Sequence, residues 1–450
     1  MLSDLHLGPD GPLATFHEPQ RLKGLINRWH DHQPEMELVL AGDTFDFLQI
    51  IGYDGFSATK AVERFGEIVK NPATAEVLAA LNRLCKRGGV ELTVLAGNHD
   101  PELLVDDVRD AFAREVGRTP GTIVWADDQP LVARKGNRLP VWGRALTAHG
   151  ADGDPANCVW VVHGDRWDPS NVIDRDALRG AVAAGKGDGF ELPVGSHLVF
   201  EVLSELKRDH RWVDELKPEL PAVLPLLLAV APLETMKYVG KHWRIGASLF
   251  VDTLEARLKY GPAMGETPAA KDYEEDPWAI DPLESVQRAT FEELRGDPDA
   301  KRLLNALLNH LEDGVSPKRE DVLAGPTGVP GLLARSWLRL VRACDRFGRL
   351  DAGDSIISPS SRYLPETLGA LIAGHTHGAR IRADLRPPYF NSGTWMPVRT
   401  VPSGDLQAWL DMVTEQGASR PPSPGTFVRI ELLDGPPLVA VEQWPPGTSP

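Results

Sequence analysis

The stretch MELVLAGD, residues 36–43, is a short apolar run that ends in a glycine and an aspartate. The stretches VELTVLAGNHD (residues 90–100) and NCVWVVHGD (residues 157–165) repeat this pattern. A short apolar run that ends in turn-forming and polar residues predicts a buried strand. We therefore expect three buried strands, each with polar side chains at its carboxyl end.

A helical pattern lies between the first two of these strands. Residues 61–87 place Leu78, Leu81 and Leu84 or Cys85 on one helical face. Strands that alternate with helices are typical of layered α/β folds. We expect this fold class.

The pattern changes after residue 168. Residues 171–353 are mostly helical in pattern, whereas strand patterns return at 368–373 and in a closing hairpin at 426–444. We therefore predict a catalytic domain formed by residues 1–170 and 354–450, interrupted by a helical insertion at 171–353.

Composition limits the class of protein. The chain has 450 residues, with 42% hydrophobic and 25% charged residues, which is ordinary for a folded globular protein. A net charge of −16 disfavours non-specific binding of nucleic acid. The three cysteines form no CxxC motif, which argues against a disulfide framework or a thiolate zinc site. Without a visible leader peptide or membrane-spanning stretch, we expect a cytoplasmic protein.

Five short segments place metal-compatible side chains directly after apolar runs. They are SDLHLG (3–8), GDTFDF (42–47), GNHD (97–100), VVHGD (161–165) and AGHTHG (373–378). In open α/β sheets, ligands bind beyond the carboxyl ends of the strands. Each motif alone is weak, but five in this arrangement predict one shared metal site.

The candidate metal ligands are oxygen and imidazole donors, which suit Mn, Fe, Zn or Ni. In the first and last segments the two ligands are two residues apart, so they project to one face of an extended strand. The candidates are Asp4, His6, Asp43, Asn98, His163, His375 and His377.

This ordered set of motifs, D-x-H, G-D, G-N-H-D, a later H and G-H-x-H, resembles the calcineurin-like metallophosphoesterase superfamily. The resemblance covers residues 2–168 and 368–398. It implies a four-layer α/β/β/α sandwich with two divalent metal ions. One ion would be held by Asp4, His6 and His377 and the other by Asn98, His163 and His375, with Asp43 bridging them.

The resemblance also implies the reaction. Two ions would activate a water that hydrolyses a phosphomonoester, phosphodiester or pyrophosphate bond. His99 would lie near the leaving oxygen and protonate it without binding metal. For Asp100, orienting His99 and capping a turn remain alternatives, as do orienting and capping for Asp46. We expect Asp168 to cap a loop.

The motifs look closest to those of UDP-2,3-diacylglucosamine hydrolases, which cleave a pyrophosphate in lipid A synthesis. This implies a small phosphorylated substrate, nucleotide- or lipid-linked, with Asn98 and Arg166 as candidate contacts. Packing is the alternative role of Arg166. Residues 220–236 are apolar and either contact a membrane surface or form the core of the insertion.

Two other functions remain open. A nuclease of the same superfamily is disfavoured by the acidic charge and by the lack of a Lys/Arg-rich run. A non-catalytic scaffold would have no chemical need for an intact set of ligands. The sequence predicts no obligate protein partner.

Overall fold

A computed structural model of the chain describes residues 1–33, 35–128, 130–132, 140–148, 154–168, 170–209, 212–215, 349–357, 360, 364–399, 421–433 and 435–445. The fold is mixed α/β, as the sequence predicts. The four-layer arrangement remains a prediction.

The first sheet has three parallel strands in the order β1–β2–β3. They are β1 (Met36–Ala41), β2 (Val90–Leu95) and β3 (Val124–Trp125). Before the first motif, a single parallel bridge joins Leu2 to Leu40 of β1. The backbone N–H of Leu2 donates to Val39 at 2.9 Å and its carbonyl accepts a 2.8 Å hydrogen bond from Ala41, so both backbone groups of Leu2 are paired.

Four helices belong to this half of the molecule: α1 (Pro19–His32), α2 (Ala61–Lys70), α3 (Pro72–Lys86) and α4 (Asp106–Glu115). All four contribute buried side chains to the main hydrophobic core. Leu38 and Leu40 of β1 belong to the same core. The helices therefore pack on one face of the first sheet.

The predicted single helix at 61–87 is wrong, because the chain breaks between α2 and α3. Pro72 has no N–H to continue the first helix, and its ring disfavours a helical conformation at Asn71. The Asn71 side chain instead accepts a 3.0 Å hydrogen bond from the backbone of Ala73 and caps α3. The predicted apolar face of α3 is buried as expected.

The second sheet has five strands in the order β6–β7–β8–β10–β9. They are β6 (Arg144–Thr147), β7 (Cys158–Val161), β8 (Ala370–Ala373), β9 (Ala379–Arg382) and β10 (Tyr389–Ser392). Strand β8 is parallel to both of its neighbours, and the two outer pairs are antiparallel.

Two hairpins complete the strands. The shorter one pairs β4 (Pro130–Val132) with β5 (Val141–Trp142), and the other pairs β11 (Thr426–Leu433) with β12 (Gly435–Gln443). The second hairpin confirms the one predicted at 426–444. Its backbone also pairs with Met1, whose carbonyl accepts a 3.1 Å hydrogen bond from Val428.

A separate apolar cluster joins the two sheets. Val39 and Ala41 of β1, which alternate with the helix-facing leucines, pack there with Val161 of β7 and Ile372 of β8. Strand β1 is therefore buried on both faces, as is usual for a strand between two layers.

The chain after β7 begins the predicted insertion. It forms α5 (Arg175–Ala183), α6 (Val194–His197), a π-helical turn (Leu198–Leu203), α7 (Ser204–Asp209) and α8 (Trp212–Glu215). Ile173, Leu178 and Leu192 join the main core. This part of the chain therefore packs with α1–α4 and the first sheet rather than separately from them. Most of the predicted insertion, including the apolar stretch 220–236, lies outside the described residues. No helix in the described part of the chain is long and apolar enough to cross a membrane.

Candidate metal centre

The predicted site residues lie just beyond the carboxyl ends of four strands. Asp43 follows β1, Asn98 follows β2, His163 follows β7 and His375 follows β8. The Gly374 N–H donates a 2.8 Å hydrogen bond to the His163 carbonyl, so the last two of these turns are in contact. Side chains that follow strands of both sheets therefore meet at one position.

One group of side chains is formed by Asp4, His6, Asp43 and His377, all of them buried. Nε2 of His377 lies 3.2 Å from Nε2 of His6 and 3.3 Å from Oδ1 of Asp4. Nε2 of His6 lies 3.8 Å from Oδ2 of Asp43. These atoms all carry lone pairs that a cation can accept.

A second group adjoins the first. Asp43, His163 and His375 have ligand atoms within 4.8 Å of one another. Nε2 of His163 lies 3.3 Å from Oδ2 of Asp43 and 3.1 Å from Oδ1 of Asn98. The structure therefore brings all seven predicted ligands together, and the Oδ2 atom of Asp43 belongs to both groups.

The backbone at these residues is unusual. Among the described residues, the only non-glycine residues with a positive φ in the left-handed region are Asp4 (52°), His6 (49°), Asp43 (49°), His375 (68°) and His377 (59°). Residues with a Cβ rarely adopt this backbone conformation. All five are candidate metal ligands. The extended conformation expected for the first and last motifs is therefore wrong, since both ligands of each motif are left-handed.

The glycines beside these residues permit close packing. A Cβ on Gly97 would overlap the carboxylate and backbone of Asp43, and a Cβ on Gly42 would overlap the ring of His163. Gly42 also has a φ of 85°. The G-D and G-N motifs therefore need glycine for steric reasons.

Three of the histidine rings are oriented through the nitrogen that faces away from the group. Nδ1 of His163 lies 3.0 Å from the Ala41 carbonyl, which can only accept, so this nitrogen carries the proton. Nδ1 of His6 lies 2.8 Å from Oδ2 of Asp46, and Nε2 of His375 lies 3.0 Å from Oδ2 of Asp168. This confirms the orienting interpretation of Asp46 and leaves the second nitrogen of each ring as the candidate metal ligand.

His99 lies at the edge of the site. Its backbone N–H donates a 2.9 Å hydrogen bond to Oδ1 of Asp43, and its Nδ1 lies 3.1 Å from Oδ2 of Asp46. Together with His6 and Asp46 it forms a third group whose geometry could hold a cation. Its side chain is 16% exposed, whereas that of His6 is 1% exposed. His99 is thus accessible from solvent while touching the buried groups.

Asp100 caps the turns beneath the site. Its carboxylate accepts hydrogen bonds from the backbone N–H groups of Thr44 (2.8 Å), Phe45 (3.1 Å) and Gly97 (2.6 Å). The capping interpretation of Asp100 is confirmed. Burial and the nearby carboxylate of Asp43 raise the pKa of Asp100 to about 8.

The electrostatics of the site favour positive charge. Burial alone would raise the pKa of Asp43, but His163 and His99 outweigh it and hold that pKa well below its ordinary value. Burial lowers the pKa of His163, but Asp43 outweighs this effect and raises it to about 10. A bound cation would replace the proton that this arrangement favours, and buried carboxylates beside deprotonated imidazoles fit a divalent transition-metal ion.

A buried arginine ties the turns together. Arg175 of α5 donates to Oδ1 of Asp127 at 2.9 Å, to Oδ2 of Asp165 at 3.0 Å and to the carbonyl of Ala96 at 2.7 Å. These three residues follow or end β3, β7 and β2. Sequence analysis missed Arg175, because no local motif marks it. Arg166 is 4% exposed, and its burial favours packing over substrate contact.

Comparison with family models, curated protein sequences and solved structures gives no significant match. What supports the motif resemblance in this chain is the set of buried His and Asp groups that could bind metal.

Proposed function

We propose that the chain is a calcineurin-like metallophosphoesterase that holds two divalent metal ions and hydrolyses a phosphate ester or pyrophosphate bond. The observation that carries the proposal is the left-handed backbone at five candidate ligands. Strained conformations of this kind cost about 1–3 kcal/mol each and cluster at functional sites. Here the strain coincides with the residues that the motifs select.

The two groups divide the ligands between the ions. Asp4, His6 and His377 would hold one ion, and Asn98, His163 and His375 the other, with Asp43 shared because its Oδ2 atom belongs to both groups. Bound Mn, Fe, Zn or Ni ions in such a pair polarise phosphate oxygens and activate water.

The chain itself supplies a proton donor. His99 is partly exposed beside the buried groups, and Asp46 lies against its Nδ1 atom. Held this way, the imidazole presents its Nε2 atom for transfer of a proton to the departing oxygen. Asn98, at the same turn, would contact a substrate phosphate as well as a metal. The substrate class is a small phosphorylated molecule, nucleotide- or lipid-linked.

The test combines metal content with hydrolysis. Wild-type protein exchanged into Mn²⁺ should retain about two ions per chain by elemental analysis and should hydrolyse bis(p-nitrophenyl) phosphate or p-nitrophenyl phosphate. Asp43→Ala should lose both ions and the activity, because its carboxylate is shared. Asp10→Ala, in the exposed loop after the first motif, is the matched control.

Each outcome has a separate meaning. Wild-type protein that takes up no Mn²⁺ contradicts the metal centre. Two bound ions without hydrolysis of monoester, diester or pyrophosphate substrates would favour the scaffold alternative. DNA binding at low salt with a steep dependence on salt would favour the nuclease.

A further inference from the structure

Asp168 has contacts beyond the loop cap that the sequence predicts. Its Oδ1 atom accepts a 2.9 Å hydrogen bond from the Ser170 N–H, which confirms the cap. Its Oδ2 atom, however, lies 3.0 Å from Nε2 of His375 and accepts a 2.7 Å hydrogen bond from the side chain of Asn171. One carboxylate therefore joins the loop to a candidate metal ligand.

Asn171 extends this connection to a second candidate ligand. Its Oδ1 atom lies 3.5 Å from Nδ2 of Asn98. The hydrogen-bonded chain thus runs from Asn98 through Asn171 and Asp168 to His375. Both end residues are assigned to the same ion, so the loop braces one metal position from two sides.

The loop is itself held in place. The backbone N–H of Gly195, in α6, donates a 2.7 Å hydrogen bond to the Ser170 carbonyl, and any Cβ on Gly195 would overlap the Asn171 side chain. The Asp168 side chain is 28% exposed and that of His375 is 7% exposed. The carboxylate therefore lies between solvent and a buried imidazole.

We propose that Asp168 is a positioning residue that sets the affinity of the ion held by Asn98, His163 and His375, without changing the affinity of the other ion. The inference rests on the proposed function. By accepting a hydrogen bond from Nε2–H, Asp168 keeps the proton on Nε2 of His375, so that Nδ1 would present its lone pair to the metal. Carboxylates that orient a metal-binding histidine typically change metal affinity 10- to 100-fold.

The experiment is a titration of metal-free protein with Mn²⁺. Electron paramagnetic resonance measures the free ion, and calorimetry measures the affinity of each site. Asp168→Asn keeps an oxygen that can cap Ser170 but removes the negative charge. It should bind one ion like wild type and the second about 10- to 100-fold more weakly. Asp176→Asn, which makes the same change at an exposed position of α5, should bind both ions normally.

A double-mutant cycle tests whether Asp168 acts through His375. His375→Ala alone weakens the second ion. Adding Asp168→Asn to that variant should lower the remaining affinity by less than about threefold, because the acting partner is gone. If the full 10- to 100-fold loss is repeated, Asp168 acts elsewhere and the inference is wrong.

Failure of the inference is distinct from failure of the proposed function. If wild type binds no Mn²⁺, the proposed function fails. If wild type binds two ions and Asp168→Asn matches it, only the inference fails. Thermal unfolding checks the fold of each variant. Should Asp168→Asn not fold, Asn171→Ala replaces it and should weaken the same single ion to a smaller extent. Equal weakening of both ions would overturn the proposal.

Discussion

Replacing Arg175 with methionine should strongly destabilise the layers around the metal centre. Methionine keeps the apolar stem of the arginine side chain but removes its N–H donors. The buried carboxylates of Asp127 and Asp165 and the carbonyl of Ala96 then lose this partner. Removing one partner of a buried ion pair costs about 3–5 kcal/mol. Two pairs are broken, but a buried carboxyl can take up a proton, so we expect a total near 3–5 kcal/mol rather than twice that value.

The matched control is Arg179→Met in the same helix, one turn later. Arg179 pairs with Asp128, whose side chain is 54% exposed, and also donates to the Asp127 carbonyl. An exposed pair contributes about 0–1 kcal/mol and one hydrogen bond about 0.5–1.5 kcal/mol, so we expect a smaller loss than in the Arg175 variant. Urea unfolding of both variants and of wild type at pH 7 measures the difference. Equal losses in the two variants would refute the assignment of Arg175 as the buried connection.

The pH dependence gives a second check. Burial raises the pKa of Asp165, but Arg175 outweighs it and holds that pKa below its ordinary value. The resulting stabilisation is present above about pH 4 and is lost as the pH falls through the folded pKa. In the Arg175 variant, burial should raise the folded pKa of Asp165 above its unfolded value, and we then expect the variant to lose stability as the pH rises. The difference in unfolding free energy between wild type and the Arg175 variant should therefore be larger at pH 8 than at pH 5. A difference that does not change with pH would contradict this account.

Two further predictions concern the centre directly. Gly97→Ala should displace the Asp43 carboxylate and reduce bound Mn²⁺ at both positions, whereas Gly88→Ala, which meets open space in the turn before β2, should keep both ions; full metal content in Gly97→Ala by elemental analysis would refute the steric argument. His99→Asn should keep two ions and lower kcat by about 10²–10⁴, with a smaller loss for nitrophenyl esters than for alkyl esters, since nitrophenolate leaves without protonation. Loss of an ion would instead make His99 a ligand.

The clustering of the candidate ligands is predictable from the sequence because each motif is local. A strand end is visible in the sequence from a few residues, and the parallel pairing of β1 with β2 and of β7 with β8 then brings their carboxyl ends together. The break before Pro72 was also visible in the sequence, since proline cannot continue a helix. It was missed because the apolar spacing continues on both sides.

The supporting contacts were not predictable in the same way. Asp168 and His375 are 207 positions apart, and Arg175 reaches Ala96 over 79 positions. No local pattern links residues at such separations. The apolar spacing of α5 indicates a buried face, but it cannot specify which layer that face contacts. The packing of Ile173, Leu178 and Leu192 in the main core is therefore not predictable from this spacing.

The order of synthesis determines when the candidate metal site can form. His6 and His377 are 371 positions apart, so at about 5–20 residues per second a ribosome needs roughly 20–75 s to supply the second after the first. During that interval Asp4 and His6 lack β8 and the turn that carries His377. Asp43, Asn98 and His163 are made far earlier, but their group also waits for His375. Neither candidate metal position can therefore be completed before the turn after β8 has been made, and nascent chains stalled before β8 should bind metal more weakly than the full chain.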